Sequence, residues 1–80
     1  MPVPADPTDD DPLSGELAHI GQRIRAARLH QNLTQEQVFL AVPMNRRHYQ
    51  QIEAGQANPT LRALLRIAAA IGVPLRDLVG

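Results

Sequence analysis

The sequence predicts an all-α domain, and three observations carry that prediction. Apolar residues recur at intervals of three and four along nearly all of the chain beyond Pro12, which is the period of a helix with one buried face. Residues suited to capping, Ser14, Thr34, Asn45 and Thr60, each stand just before such a run, while Pro43, Gly55, Gly72 and Pro74 punctuate the gaps. No segment alternates with a period of two, so no strand is expected.

The first helix is expected from about Gly15 to Gln31, capped by Ser14, with Leu17, Ile20, Ile24 and Ala27 or Arg28 facing inward. The second, at about residues 35–42, follows a capping box in which Thr34 accepts from the backbone and Gln37 reaches back. Val38, Phe39 and Val42 form its inward side, and Pro43 stops it by biasing Val42 away from helical angles. The third, at about residues 46–53, starts at the Asn45 cap, turns Tyr49 and Ile52 inward with the Tyr49 hydroxyl reaching the surface, and ends at a left-handed Gly55. Two short helices around a tight bend are the layout of a helix-turn-helix. A fourth helix runs from the Thr60 cap to Ala70 or Ile71, with Leu61, Leu64, Leu65, Ala68 and Ile71 as its buried stripe and Arg62 and Arg66 outside. Gly72 closes it, and Pro74 lies in the first turn of a terminal helix carrying Leu75, Leu78 and Val79.

Eighty residues suffice for one small core and not two. The expected division is an acidic, proline-rich disordered tail over residues 1–13 and one domain over residues 14–80. The net charge of zero hides this asymmetry. Asp6, Asp9, Asp10 and Asp11 lie in the tail, whereas the rest holds all eight basic residues, every one an arginine, against Glu16, Glu36, Glu53 and Asp77. There is no cysteine, hence no disulfide framework and no thiolate ligand or nucleophile. His19, His30 and His48 are too scattered for a zinc site, so neither metal nor cofactor is expected. No apolar run approaches the roughly 20 residues of a membrane span, and a cytoplasmic protein is expected. No nucleophile and base are paired, so an enzyme is not expected.

The segment IGQRIRAARLHQNLTQEQV, the IEAG at residues 52–55, the run NPTLRALLRIAAAIGVPL and their mutual spacing resemble the lambda-repressor-like helix-turn-helix domain of the Cro/C1 type, the XRE family. The resemblance covers Ile20 to Val79. It implies a compact five-helix DNA-binding fold whose third helix enters the major groove of double-stranded DNA. By position it assigns DNA contact to Asn45, Arg46, Arg47, Gln50 and Gln51, and contact with the DNA backbone to Gln35. His48, on the same helix, could approach the sugar-phosphate backbone or a base at one edge. The chemistry agrees, because arginine can grip guanine O6 and N7 and glutamine can pair with adenine N6 and N7. Which arginine reads a base and which holds phosphate stays open at this level. The resemblance further implies that Arg28 and Glu53 form a partly buried structural ion pair.

Three residues or segments depart from the family pattern. Phe39 stands where alanine usually lets the second and third helices approach, and overpacks that crossing unless its neighbours make room. Pro43 replaces the glycine of the turn and cannot adopt positive φ, so either the bend is altered or the alignment slips locally, and either change could rotate the third helix. The loop AGQANPT lacks a basic residue, leaving Gln56 and Asn58 as neutral donors.

The expected function is a sequence-specific transcriptional regulator, a repressor in the absence of any activation module, bound to an inverted-repeat operator. A homodimer through Leu75, Leu78 and Val79 of the last helix is the candidate assembly. Two alternatives are an antitoxin that binds a toxin protein while autoregulating its operon, and a protein-interaction module in which Phe39 and Pro43 have ended specific DNA binding.

Overall fold

A computed structural model describes residues 12–80, and the greater part of the expected tail, residues 1–11, lies outside the described residues. Among the described residues five helices follow one another: α1 Pro12–His30, α2 Gln35–Ala41, α3 Arg46–Glu53, α4 Leu61–Ile71 and α5 Arg76–Val79. Among the described residues there is no strand.

α1 starts three residues earlier than the sequence suggested. Ser14 therefore lies inside the first turn and does not cap it, while Pro12 takes the first helical position, where its fixed φ and missing N–H cost nothing. The helix closes on Asn32, which adopts φ 58° as the Leu33 N–H bonds back to the Arg28 carbonyl at 3.0 Å. That is a left-handed stop with asparagine in place of glycine.

The three other side-chain caps occur as read. The Thr34 hydroxyl accepts from the Gln37 N–H at 3.0 Å and the Thr34 N–H donates to Gln37 Oε1 at 2.8 Å. Asn45 Oδ1 accepts from the His48 N–H, and the Thr60 hydroxyl from the Ala63 N–H. Gly55 and Gly72 both take positive φ, at 75° and 91°. One expectation about the bend between α2 and α3 is corrected: Val42 keeps helical angles, φ −58° and ψ −45°, in spite of Pro43. The Val42–Pro43 peptide is cis, and the Met44 N–H closes the turn on the Phe39 carbonyl at 2.7 Å.

α1 packs against α3, α4 and α5, and α2 packs against α3 and α4. The most deeply buried side chains are Ile24, Val38, Tyr49, Ile52, Ile67 and Leu78, one or more from every helix. Two expectations are corrected here. The stripe of α4 runs through Leu64, Ile67, Ala68 and Ile71, leaving Leu61 and Leu65 exposed at 62% and 50%. Tyr49 is wholly buried, hydroxyl included, so no part of it reaches the surface.

Gly21 fixes the seat of α3 on α1. A Cβ at this position would fall on the Glu53 carbonyl oxygen and lie 2.8 Å from that of Ile52, so only glycine lets the two backbones meet. Gly55 makes a second close approach, where a Cβ would lie 2.8 Å from the Ala18 Cα.

Candidate nucleic-acid interface

α3 is amphipathic over its eight residues. Tyr49, Ile52 and Glu53 turn inward, while Arg46, Arg47, His48 and Gln50 are exposed and Gln51 is half-buried. Asn45 sits at the exposed N-terminus with its side chain committed to the cap. The positions expected to meet DNA thus form one polar face, bounded by Gln35 at the start of α2.

This face is tied to the core by a chain of polar contacts. Arg28 of α1 donates from Nε to Glu53 Oε2 at 3.1 Å and from Nη2 to Glu53 Oε1 at 2.8 Å, a two-point ion pair whose side chains are 9% and 4% exposed. Arg28 Nη1 also donates to the Leu33 carbonyl at 2.9 Å. Gln35 Nε2 donates to Glu53 Oε1 at 3.3 Å, and Gln35 Oε1 accepts from Gln50 Nε2 at 3.2 Å. A buried charge pair in α1 and α3 therefore fixes an amide in α2, which fixes an exposed amide in α3.

The electrostatics follow from these contacts. Hydrogen bonding to Glu53 raises the Arg28 pKa, with burial opposing and the Glu53 charge assisting. Burial pushes the Glu53 carboxyl up, but hydrogen bonds from Arg28 and Gln35, the nearby Tyr49 hydroxyl and the Arg28 charge together hold it below the ordinary carboxylate value. Burial is also the first cause raising the Tyr49 phenol, and the neighbouring Glu53 carboxylate adds to it. That hydroxyl lies beside the ion pair without a hydrogen bond of ordinary geometry to it.

Phe39 is accommodated and not merely tolerated. Its ring is 7% exposed, tilted 50° against Tyr49 with centroids 6.3 Å apart. The Arg46 guanidinium lies 5.4 Å above its centroid, within cation–π range. Arg46 Nη2 also donates to Glu36 Oε2 at 3.3 Å. Sequence reasoning missed Glu36 as part of this site, because no local periodicity links positions on opposite sides of a bend. Arg25 was likewise missed. It lines, with Gln35, Gln50 and Ala54, an open groove beside the ion pair. In the loop before α4, Gln56 and Asn58 are exposed, as are Arg62 and Arg66 on α4.

The arrangement offers fixed donors and positive charge on a convex helix, with Glu53 locked on Arg28 and unavailable as a base. Among the described residues no three metal-capable side chains cluster, and no helix is long and apolar enough to cross a membrane.

Known proteins share the pattern. Residues 24–78 match the helix-turn-helix family. The immunity repressor protein of Bacillus phage phi105 is 36% identical over 61 residues, which make up 76% of this chain and 42% of that protein. The chain thus spans less than half the length of that relative. The restriction-modification controller protein C.AhdI from Aeromonas hydrophila superposes with a TM-score of 0.77 at 31% identity, over 80% of this chain and 97% of that one. The apo form of the competence regulator ComR from Streptococcus vestibularis gives a TM-score of 0.72 at 31% identity, over 79% of this chain and 21% of that one.

Proposed function

Because the chain belongs to the Cro/C1-type helix-turn-helix family, we propose that it is a sequence-specific double-stranded DNA-binding regulator of transcription that acts as a repressor. The observation that carries this reading is the chain of contacts from the Arg28–Glu53 pair through Gln35 to Gln50. It orders a polar side chain on an exposed helix face at the expense of rotamer freedom, which is useful only if something is to be recognised there. α3 enters the major groove with Arg46, Arg47, Gln50 and Gln51 toward base edges, while Asn45, His48 and Gln35 lie along the phosphates. The three relatives are themselves named as a repressor, a controller and a regulator. Repression follows from occupying promoter DNA and excluding polymerase in the cytoplasm.

Two copies bind an inverted repeat whose half-sites are about 34 Å apart. The expected dimer contact needs revision, since Leu78 is fully buried in the monomer core and Leu75 is half-buried against it. Val79, at 40% exposure, and Leu61 and Leu65 of α4 are among the exposed apolar side chains, which also include Leu29 and Leu40, and we take the α4 pair as the contact for a second copy. Phe39 packs against Tyr49 and α3 keeps its full expected length, which favours the regulator over the interaction-module alternative. The antitoxin alternative would share the DNA-binding face and add a toxin-binding surface, for which no residue here argues.

The test is selection of binding sites from fragmented genomic DNA, followed by affinity measurements across a salt series with the Arg46→Ala plus Arg47→Ala protein alongside. The expected result is an inverted repeat bound far more tightly than random DNA, with the preference lost in the double variant. Weak binding that is equal for both proteins and enriches no site would overturn the reading.

A further inference from the structure

Arg46 and Arg47 are adjacent in sequence and both exposed, yet the fold treats them differently. Arg46 is held on two sides by α2. Its guanidinium lies on the Phe39 ring, 5.4 Å from the centroid, and its Nη2 donates to Glu36 at 3.3 Å. The support beneath is firm, since Phe39 is buried and rests on Tyr49, which has no exposure at all. The arginine head nonetheless stays open, with 65% of its side chain accessible. The Arg47 side chain makes no hydrogen bond, ion pair or ring contact among the described residues.

Two tasks at a DNA surface make different demands on an arginine. Reading guanine needs the planar fork aimed so that two N–H groups meet O6 and N7 together, and a long side chain loses rotamer freedom to do so. Holding a phosphate needs positive charge within reach and accepts many approaches. A cation–π contact restrains where a guanidinium head sits, and a carboxylate contact to one of its nitrogens further limits how it can turn there. Glu36 engages one hydrogen of Nη2, and the remaining donors of the fork stay free. Glu36 also offsets the charge of Arg46, which lowers its worth as a counter-ion for phosphate and leaves its hydrogen-bond geometry intact.

We propose that Phe39 and Glu36 are positioning residues that hold Arg46 as the guanine reader of α3, with Arg47 as the mobile cation that holds phosphate. The inference rests on the regulator reading above and gives each arginine a separate measurable signature.

The experiment uses the full chain and the operator recovered by selection. Affinities are measured by fluorescence anisotropy for that duplex, for duplexes with each half-site base pair changed in turn, and for a random duplex across a salt series. The proteins are wild type, Arg46→Ala, Arg47→Ala, Phe39→Leu and Glu36→Ala, each checked for folding by circular dichroism. Arg46→Ala is expected to flatten the preference for one G·C pair per half-site by about tenfold or more. Arg47→Ala is expected to weaken all duplexes alike and to reduce the salt slope by about 0.9 for each bound copy. Phe39→Leu, which keeps apolar volume but removes the ring, and Glu36→Ala are expected to flatten that same position and no other, by about threefold to tenfold. Glu36→Ala should also raise affinity for the random duplex. A simple charge effect would raise all affinities together and leave the ratio between duplexes untouched, so the ratio is diagnostic. If Phe39→Leu does not fold, Glu36→Ala decides alone. Guanine preference lost in Arg47→Ala with Arg46→Ala moving only the salt slope would overturn the proposal, as would full preference retained in Glu36→Ala. A wild-type protein without any base preference would overturn the regulator reading itself and this inference with it.

Discussion

Gly21 and Glu53 show how single residues set the pose of α3. A helix-interior glycine ordinarily gains about 1 kcal/mol when replaced by alanine, but at Gly21 the added carbon meets backbone oxygens that cannot rotate away. Overpacking of this kind costs about 1–3 kcal/mol or more, so Gly21→Ala is expected to be net destabilising in urea unfolding and to weaken operator binding by tilting α3. Glu53→Ala strands the Arg28 charge in a buried site and is expected to cost about 3–5 kcal/mol. The pH dependence has a definite sign. The Glu53 pKa is lower in the folded protein than its ordinary value of 4.5, so its contribution to stability is present above that value and is lost as pH falls through the lower folded value. Acid titration of the unfolding midpoint should show this loss below about pH 4.5, and Glu53→Gln should flatten it. The ion pair entered the sequence reading through family resemblance, because Arg28 and Glu53 are 25 positions apart and no periodicity joins them. Gly21 was not legible at all, since its reason lies in the carbonyls of a helix 31 residues downstream.

Helix beginnings were legible where the signal is local. Thr34, Asn45 and Thr60 each reach an N–H three residues on, a distance set by helix geometry alone. Thr34→Ala removes half of the capping box and is expected to lower stability by about 1 kcal/mol, with a further loss of DNA affinity because Gln35 sits in the turn it anchors. Thermal unfolding and operator titration together check both. Pro12 and Pro74 are the exceptions among the starts: Pro12 opens α1, whereas Pro74, expected in the first turn of the last helix, lies two residues before α5, for a proline suits a first turn and a loop equally well. Which side of α4 faces inward was not legible either. The sets Leu61, Leu64, Leu65, Ala68 and Leu64, Ile67, Ala68, Ile71 both obey the helical period, and only the position of the neighbouring α1 and α2 selects the second. The outcome leaves Leu61 and Leu65 on a flank of α4.

At the scale of the whole molecule, that flank puts the proposed dimer contact to a test. Leu61→Lys plus Leu65→Lys alters exposed positions and should change monomer stability by no more than about 0.5 kcal/mol each. If the flank carries the dimer, the variant should sediment as a monomer and lose the advantage of a full inverted repeat over a half-site. Unchanged sedimentation would exclude α4 from the interface. The domain as a class was legible because all its levels agree, from caps to stripes to the resemblance between distant segments. What crosses between helices was not, and the contacts running from Arg28 to Gln50 through α1, α2 and α3 are of that kind. They have a consequence for how such a protein can acquire a new target. A residue at position 50 is not an independent letter, because its amide is shared with Gln35, whose other end is committed to Glu53. Replacement of Gln50 alone leaves the Gln35 side-chain carbonyl to water and the Gln35 amide less firmly held, and replacement of Gln35 alone frees Gln50 to point elsewhere. Lineages or libraries seeking altered operator preference should therefore succeed through coordinated changes at positions 35 and 50, and single steps at either should pass through a less discriminating protein.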